Sequence, residues 1–268
     1  MSASEAGSWA ALVLAGSRGG ADPVAACRGV ENKCLVTVGG VPMLARVVDA
    51  LMASPRIGRV LVVLDQPAVM ERIAELAPLV AEGRVRAIAA EPSPSLSVLA
   101  GLDALGSLPV LVTTADHALL SPAILEAFLA PAARSGADIA AGMTPSAAIL
   151  SAFPESRRTF WRFRDERYSG ANLFAVMTAR GRNAVRFWRR VEQDRKRPWR
   201  IARQFGWRPL LAYLSGRLTL DQAMERISRV MDARAVAVSL PIAEAAIDVD
   251  KPEDLDLVER IVASGGRA

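Results

Sequence analysis

Histidine is nearly missing from this chain of 268 residues: there is one, His117, and only two cysteines, Cys27 and Cys34. That count excludes a zinc site built on histidines. The two thiols are not spaced as a metal or redox pair and make no disulfide framework. Any metal must therefore be a hard ion held by carboxylates, which suits Mg²⁺. No apolar stretch approaches the ~18–20 residues that span a bilayer, since "ALVLAG" and "VLVVLD" are far shorter. The N-terminal "MSASEAGSW" does not show the basic-then-apolar layout of a signal peptide, so the expected location is cytoplasmic. Aromatic residues are scarce along most of the chain, with 12 of the 14 Phe, Trp and Tyr lying between Phe153 and Tyr213.

What is present describes a folded protein. Hydrophobic residues make up 51% and charged residues 23% of a 28.6 kDa chain, enough to bury a core and unlike a disordered sequence. The net charge of +5 conceals a division. Residues 157–217 hold 17 Arg and Lys against 4 Asp and Glu, while the remainder holds 16 against 24.

Short apolar runs rich in β-branched residues alternate with helix-length segments. Strands are expected at 11–15, 59–65, 84–90, 109–116 and 137–143, and helices at 43–53, 67–80, 95–105 and 121–134, the last capped by Ser121 ahead of Pro122. "TFWRFRD" and "YSGANLFAVM" suit two strands around a turn. "RNAVRFWRRVEQDRK", "WRIARQFGWRPLLAYL" and "TLDQAMERISRVM" suit three helices, with Trp188 packed inward. "AVAVSLP" and "AAIDVD" return to strands before a closing helix, "KPEDLDLVERIVA". Continuous apolar strands separated by helices predict a Rossmann-like three-layer α/β/α fold with a mostly parallel central sheet. The expectation is a single domain, 1–268, in which 153–232 forms an Arg- and aromatic-rich, mainly helical insertion.

In such sheets ligands collect at the C-terminal strand ends. The first strand leaves through "LVLAGSRGG", where Gly16, Gly19 and Gly20 allow backbone N–H groups to approach a phosphate closely. Arg18 could fork onto phosphate oxygens, and Lys33 could neutralise the charge of a reacting triphosphate. Asp116 ends the strand "VLVTTAD", and Asp248 and Asp250 end "AAIDVD". Two aspartates from separate strands can hold Mg²⁺, although each alone also suits a turn or a cap, and Asp250 is expected to cap the closing helix.

The ordered set "LVLAGSRGG", "NKCLVTVGGVPML", "LVTTADHALLSP" and "AIDVDKPEDL" resembles the MobA-like NTP transferases over about Ala10–Met143 and Ala235–Val262. The loop "GSRGGADPVAACRGVENK" departs from the family's common form, in which a second glycine and an Arg-Met pair follow the first. The resemblance implies a Mg²⁺-dependent nucleotidyltransferase that moves NMP from an NTP to a phosphorylated small molecule and releases pyrophosphate. Leu14, Ala15, Gly16, Ser17, Gly19 and Gly20 would wrap the nucleotide, with Arg18, Lys33 and Asp116 as the catalytic set. Asp116 and Asp248 would ligate the metal, and Ser95 or Ser97 would contact base or ribose. His117, Gly170 and Asn172 would touch the acceptor. "TTADH" is similar to the Asp-His pair of polyol-phosphate cytidylyltransferases, which favours a sugar or polyol phosphate.

Two other functions fit parts of the pattern. A GT-A glycosyltransferase would normally show Asp-x-Asp where "ADHA" has one aspartate. A non-catalytic nucleotide-binding regulator would bind NTP without releasing pyrophosphate. The basic segment 157–217 suits a solvated face, an anionic acceptor or an anionic membrane surface, and the small-molecule site argues against nucleic acid.

Overall fold

A computed structural model describes residues 8–16, 22–156, 158–194 and 206–265. The chain divides into two compact units, Met1–Ala127 with Ile247–Ala268, and Phe128–Ala246.

In chain order the first unit holds β1 (Trp9–Leu14), α1 (Pro23–Cys27), β2 (Thr37–Val38), β3 (Val41–Pro42), α2 (Met43–Ala53) and β4 (Ile57–Leu64). There follow α3 (Ala77–Ala81), β5 (Val85–Ala89), α4 (Pro94–Leu105) and β6 (Val110–Thr114), and α5 (Pro122–Arg134) runs on into the second unit. The second unit adds β7 (Ile139–Pro145), α6 (Ser146–Ala152), β8 (Trp161–Arg162), β9 (Arg167–Val176), α7 (Arg182–Asp194), α8 (Trp207–Leu214), α9 (Leu220–Met231) and β10 (Ala235–Ser239). The chain returns to the first unit for α10 (Pro252–Ala263).

In the first unit the strands lie in the order β6-β1-β4-β5, all parallel. Every residue of β1 from Trp9 to Val13 is buried. That is why the run is apolar without alternation: a parallel strand covered on both faces has no polar side. Register pairs Leu12 with Leu61 and with Val112, so Leu12 sits in the middle of the core. Helix α2 forms where expected and buries seven of its eleven residues. The segment 67–80 is not one helix. Two 3-10 turns, Pro67–Arg72 and Ala74–Leu76, precede the five-residue α3. Pro78 can start a helix but cannot continue one, because it has no N–H to donate and its ring clashes with the preceding turn.

In the second unit β7 pairs parallel with β10 and antiparallel with β9, and β8 closes antiparallel on β9. The strand–turn–strand reading of 159–177 therefore stands. Helix α9 opens with Thr219 as N-cap, its hydroxyl accepting from Gln222 N at 3.2 Å while the Gln222 side chain accepts from Thr219 N at 3.1 Å. On α7 the buried residues are Ala184, Val185 and Phe187, of which Ala184 and Phe187 pack with Met231, Ala233 and Ala235. Trp188 is 37% exposed, which corrects its expected inward placement. Val191, half-buried, completes the spacing i, i+3, i+7 from Ala184, so the buried stripe falls one residue before Trp188. "AAIDVD" is not a strand either. Ala243–Ala246 form a 3-10 turn, and 247–249 carry no regular element. Across both units parallel pairings outnumber antiparallel ones and helices flank the strands, the fold class expected.

Candidate functional site

Parallel pairing brings the C-terminal ends of β1, β4, β5 and β6 to one edge of the first unit. Ala15 N donates to Val63 O at 2.9 Å, Ala115 N to Leu14 O at 2.9 Å, and Ala90 N to Leu64 O at 2.7 Å. Gly16 follows at once. A Cβ there would lie 3.2 Å from both Asp65 Oδ1 and Ala90 Cβ, so a larger residue would have to push these neighbours aside by a few tenths of an ångström.

Lys33 is delivered to this edge by a 3-10 turn, Lys33–Leu35. Asn32 caps the turn by accepting from Cys34 N at 2.9 Å, and the buried Cys34 Sγ lies 3.4 Å from Ala15 O. Cys34 thus pins the turn to the end of β1. Burial and the Asp116 carboxylate push its thiol up to about 12.

Asp116 sits two residues past β6. Its Oδ1 accepts from Thr114 Oγ1 at 2.5 Å, and its Oδ2 accepts from Lys33 Nζ at 2.9 Å. The same ammonium lies 3.6 Å from Asp250 Oδ1. Burial alone would lower the Lys33 pKa. The charge of Asp116 and its hydrogen bond outweigh burial, Asp250 and Asp22 add to them, and the net shift is upward. Val249 N donates to Asp116 O at 3.0 Å, which fastens the 248–250 segment beside Asp116.

Asp250 does not cap the closing helix. The Asp254 side chain does so, accepting from Asp250 N at 3.1 Å and from Lys251 N at 3.0 Å. Asp254 is the third helical residue and can fold back onto the helix entrance, which leaves the Asp250 carboxylate for Lys33. Asp248 is half-buried, next to fully buried Val249.

The remaining expected residues distribute as follows. Leu14, Ala15 and Gly16 lie at this edge, whereas Ser17, Arg18, Gly19 and Gly20 fall outside the described residues. Ser95 and Ser97 are buried at the start of α4, and Ser97 Oγ accepts from Glu91 N at 3.0 Å. Ser93 Oγ caps the helix and lies 3.1 Å from Ser95 Oγ. These hydroxyls tie the turn to the helix. His117 is 1% exposed, with its backbone bonded to Thr114 and Leu120. Gly170 and Asn172 lie on β9 of the second unit, Asn172 at φ 49. The sequence reading missed Thr114 and Asp22 and gave Asp250 the wrong role. "TTAD" offered a hydroxyl two residues before the carboxylate, and Asp22 before Pro23 is itself an N-cap signal, accepting from Val24 N at 2.9 Å.

Among the described residues no group of three or more His, Cys, Asp and Glu side chains could enclose a metal ion. The donor set still suits Mg²⁺, which takes hard oxygens and binds through one or two carboxylates while substrate phosphates and water complete its shell. Two carboxylates already converge on one cation here, with side chains 19% exposed for Asp116 and 53% for Asp250.

Comparison with known proteins bears on the family and the fold. Residues 11–196 match the family model of the MobA-like NTP transferase domain. A hypothetical transferase from Thermus thermophilus is 30% identical, with a TM-score of 0.77 over 92% of this chain and 98% of that one. The 4-diphosphocytidyl-2C-methyl-D-erythritol synthase of Anaerococcus prevotii is 14% identical, with a TM-score of 0.59 over 95% of this chain and 98% of its own. A CMP:2-keto-3-deoxy-manno-octonic acid synthetase, solved with CTP, is also 14% identical, with a TM-score of 0.56 over 96% and 99%. The last two likenesses concern the fold alone. No curated protein matches the chain in sequence.

Proposed function

The chain belongs to the MobA-like NTP transferase family and is a nucleotidyltransferase, and from that premise we propose that it moves NMP from an NTP to a phosphorylated small molecule, a sugar or polyol phosphate, with Mg²⁺ and release of pyrophosphate. The observation that carries this reading is the Lys33 ammonium held between Asp116 and Asp250 where β1 and β6 end.

The reaction needs no covalent intermediate. A phosphate oxygen of the acceptor attacks the α-phosphorus in line, a new P–O bond forms, and the bond to pyrophosphate breaks. Lys33 is charged at neutral pH, and it neutralises the phosphate oxygens as charge moves to the leaving group. Arg18 acts on the same phosphates. Gly16 keeps the β1 end open to backbone contact, and the Thr114 hydroxyl fixes the carboxylate of Asp116. Mg²⁺, when bound, supplies charge neutralisation across the triphosphate, with Asp116 and a carboxylate of the 248–250 segment as its protein ligands. His117, Gly170 and Asn172 stay proposed for the acceptor, and Ser95 or Ser97 for base or ribose.

The test is pyrophosphate release from each of CTP, GTP, UTP and ATP against a panel of sugar and polyol phosphates, with and without Mg²⁺. Release with one base, reduced about 10²–10³-fold in Lys33→Met and Asp116→Asn, is expected. Running Asp248→Asn beside Asp250→Asn identifies the ligand as the variant that raises the Mg²⁺ requirement. NTP binding without release for any acceptor class would refute the transferase reading for these substrates and favour a nucleotide-binding regulator.

A further inference from the structure

Helix α8 is built inside out. Trp207, Leu210, Leu211 and Leu214 fall at i, i+3, i+4 and i+7, the spacing of a single apolar stripe, which in a globular protein faces the core. Here the four are 66%, 39%, 54% and 70% exposed. No residue of the helix is buried, and the half-buried positions are the small Pro209 and Ala212. The fold therefore seats the helix on its small residues and turns its large apolar ones outward. Tyr213 fixes the seating through an edge contact with Phe163, ring centroids 5.9 Å apart.

Among the described residues, the exposed Arg208 and Arg217 flank the stripe. Arg208 lies over the Trp207 ring at 5.3 Å, and with Arg226 and the ion-paired Glu225 and Arg229 of α9 it borders a cavity of about 540 Å³, in which three arginines meet one carboxylate. Charge decides what can cover such a stripe. A second copy docked about a two-fold axis would set this cationic surface against itself. Nucleic acid would be met by ring platforms, and three of the four stripe residues are leucines, which offer no face for stacking. A bilayer bearing anionic headgroups satisfies both halves: leucines enter the acyl boundary, Trp207 takes the interface, and the arginines meet lipid phosphates.

We propose that α8, through Trp207, Leu210, Leu211 and Leu214 with the flanking Arg208 and Arg217, lies on an anionic membrane surface as a peripheral interfacial helix. This inference is independent of the transferase reading, and failure of either leaves the other standing.

The full chain is sedimented with vesicles of phosphatidylcholine containing one-third phosphatidylglycerol, and with vesicles of phosphatidylcholine alone. Binding to the anionic vesicles only is expected, weakened about tenfold or more in Leu211→Glu and in Leu214→Glu. Both side chains are exposed, so an unchanged melting temperature shows that the variants fold, and pyrophosphate release with a soluble acceptor is measured separately. No binding by the folded wild type, or equal binding by the variants, overturns the proposal. A self-association that the variants abolish, or retention on single-stranded RNA without binding to vesicles, overturns it in favour of a second copy or a nucleic acid.

Discussion

Replacing Gly101 by alanine should destabilise the first unit, although alanine is the better helix former. Gly101 lies in the buried face of α4, where the helix crosses β1. A Cβ at this position would stand 2.4 Å from Leu12 Cδ1, 2.7 Å from Cδ2 and 3.2 Å from Cγ. Ordinary carbon contacts are about 3.5–4.0 Å, so helix or side chain must move by roughly 1 Å. Leu12 has no empty place to go, since it is 0% exposed between Leu61 and Val112 in the central strand. Overpacking of this kind costs about 1–3 kcal/mol, and three close atoms place it in the upper half. Against it stands the propensity gain of alanine over glycine, about 0.8–1 kcal/mol. The net loss is about 1–2 kcal/mol, or a melting temperature lower by roughly 3–6 °C. Thermal and urea unfolding of four proteins measure it: wild type, Gly101→Ala, Leu12→Ala and the double variant. Leu12→Ala alone should cost about 2–5 kcal/mol. In that background the added methyl has room, and Gly101→Ala should stabilise by up to about 1 kcal/mol. The reasoning is wrong if Gly101→Ala raises stability in the wild-type background, or if the two effects simply add.

Three further outcomes are expected. Because the folded pKa of Lys33 is raised above its ordinary 10.5, the stability from its ion pairs is complete below that pH and disappears as pH climbs through the higher folded value. The stability gap between wild type and Lys33→Met should accordingly be constant from pH 7 to 9 and close above 10.5; urea titrations showing a gap that widens there would contradict the pairing. A thiol-reactive disulfide at pH 8 should modify one cysteine quickly, the exposed Cys27. Cys34, its thiol at about 12, should react only after unfolding, and two fast equivalents would show that the Lys33 turn opens readily. Phe187→Ala should cost about 3–5 kcal/mol and Trp188→Ala under about 1 kcal/mol, and the reverse order in chemical denaturation would restore the inward tryptophan.

Much of the fold was legible along the chain, because hydrophobic period and connectivity are local quantities. The unbroken apolar run of β1 announces a strand covered on both faces, and α2 begins and ends where its pattern does. Ser121 ahead of Pro122 marks the start of α5, the Ser121 hydroxyl accepting from Ile124 N at 3.3 Å. Lys33 and Asp116 were also legible one at a time, as a lysine after a glycine loop and a carboxylate at a strand end. Their pairing across 83 positions was not, since it depends on where Cys34 fastens the turn that carries Lys33. That Asp254 caps the closing helix in place of Asp250 was hidden for a similar reason. Both stand near the helix entrance, and only the three-dimensional path of the backbone decides which carboxylate reaches the free N–H groups. Helix α8 makes the limit plainest. Its period declares a helix with an apolar stripe, yet no period says whether that stripe meets a core or faces outward. Burial depends on what the rest of the chain leaves uncovered, and that is settled by packing in space rather than by order along the backbone.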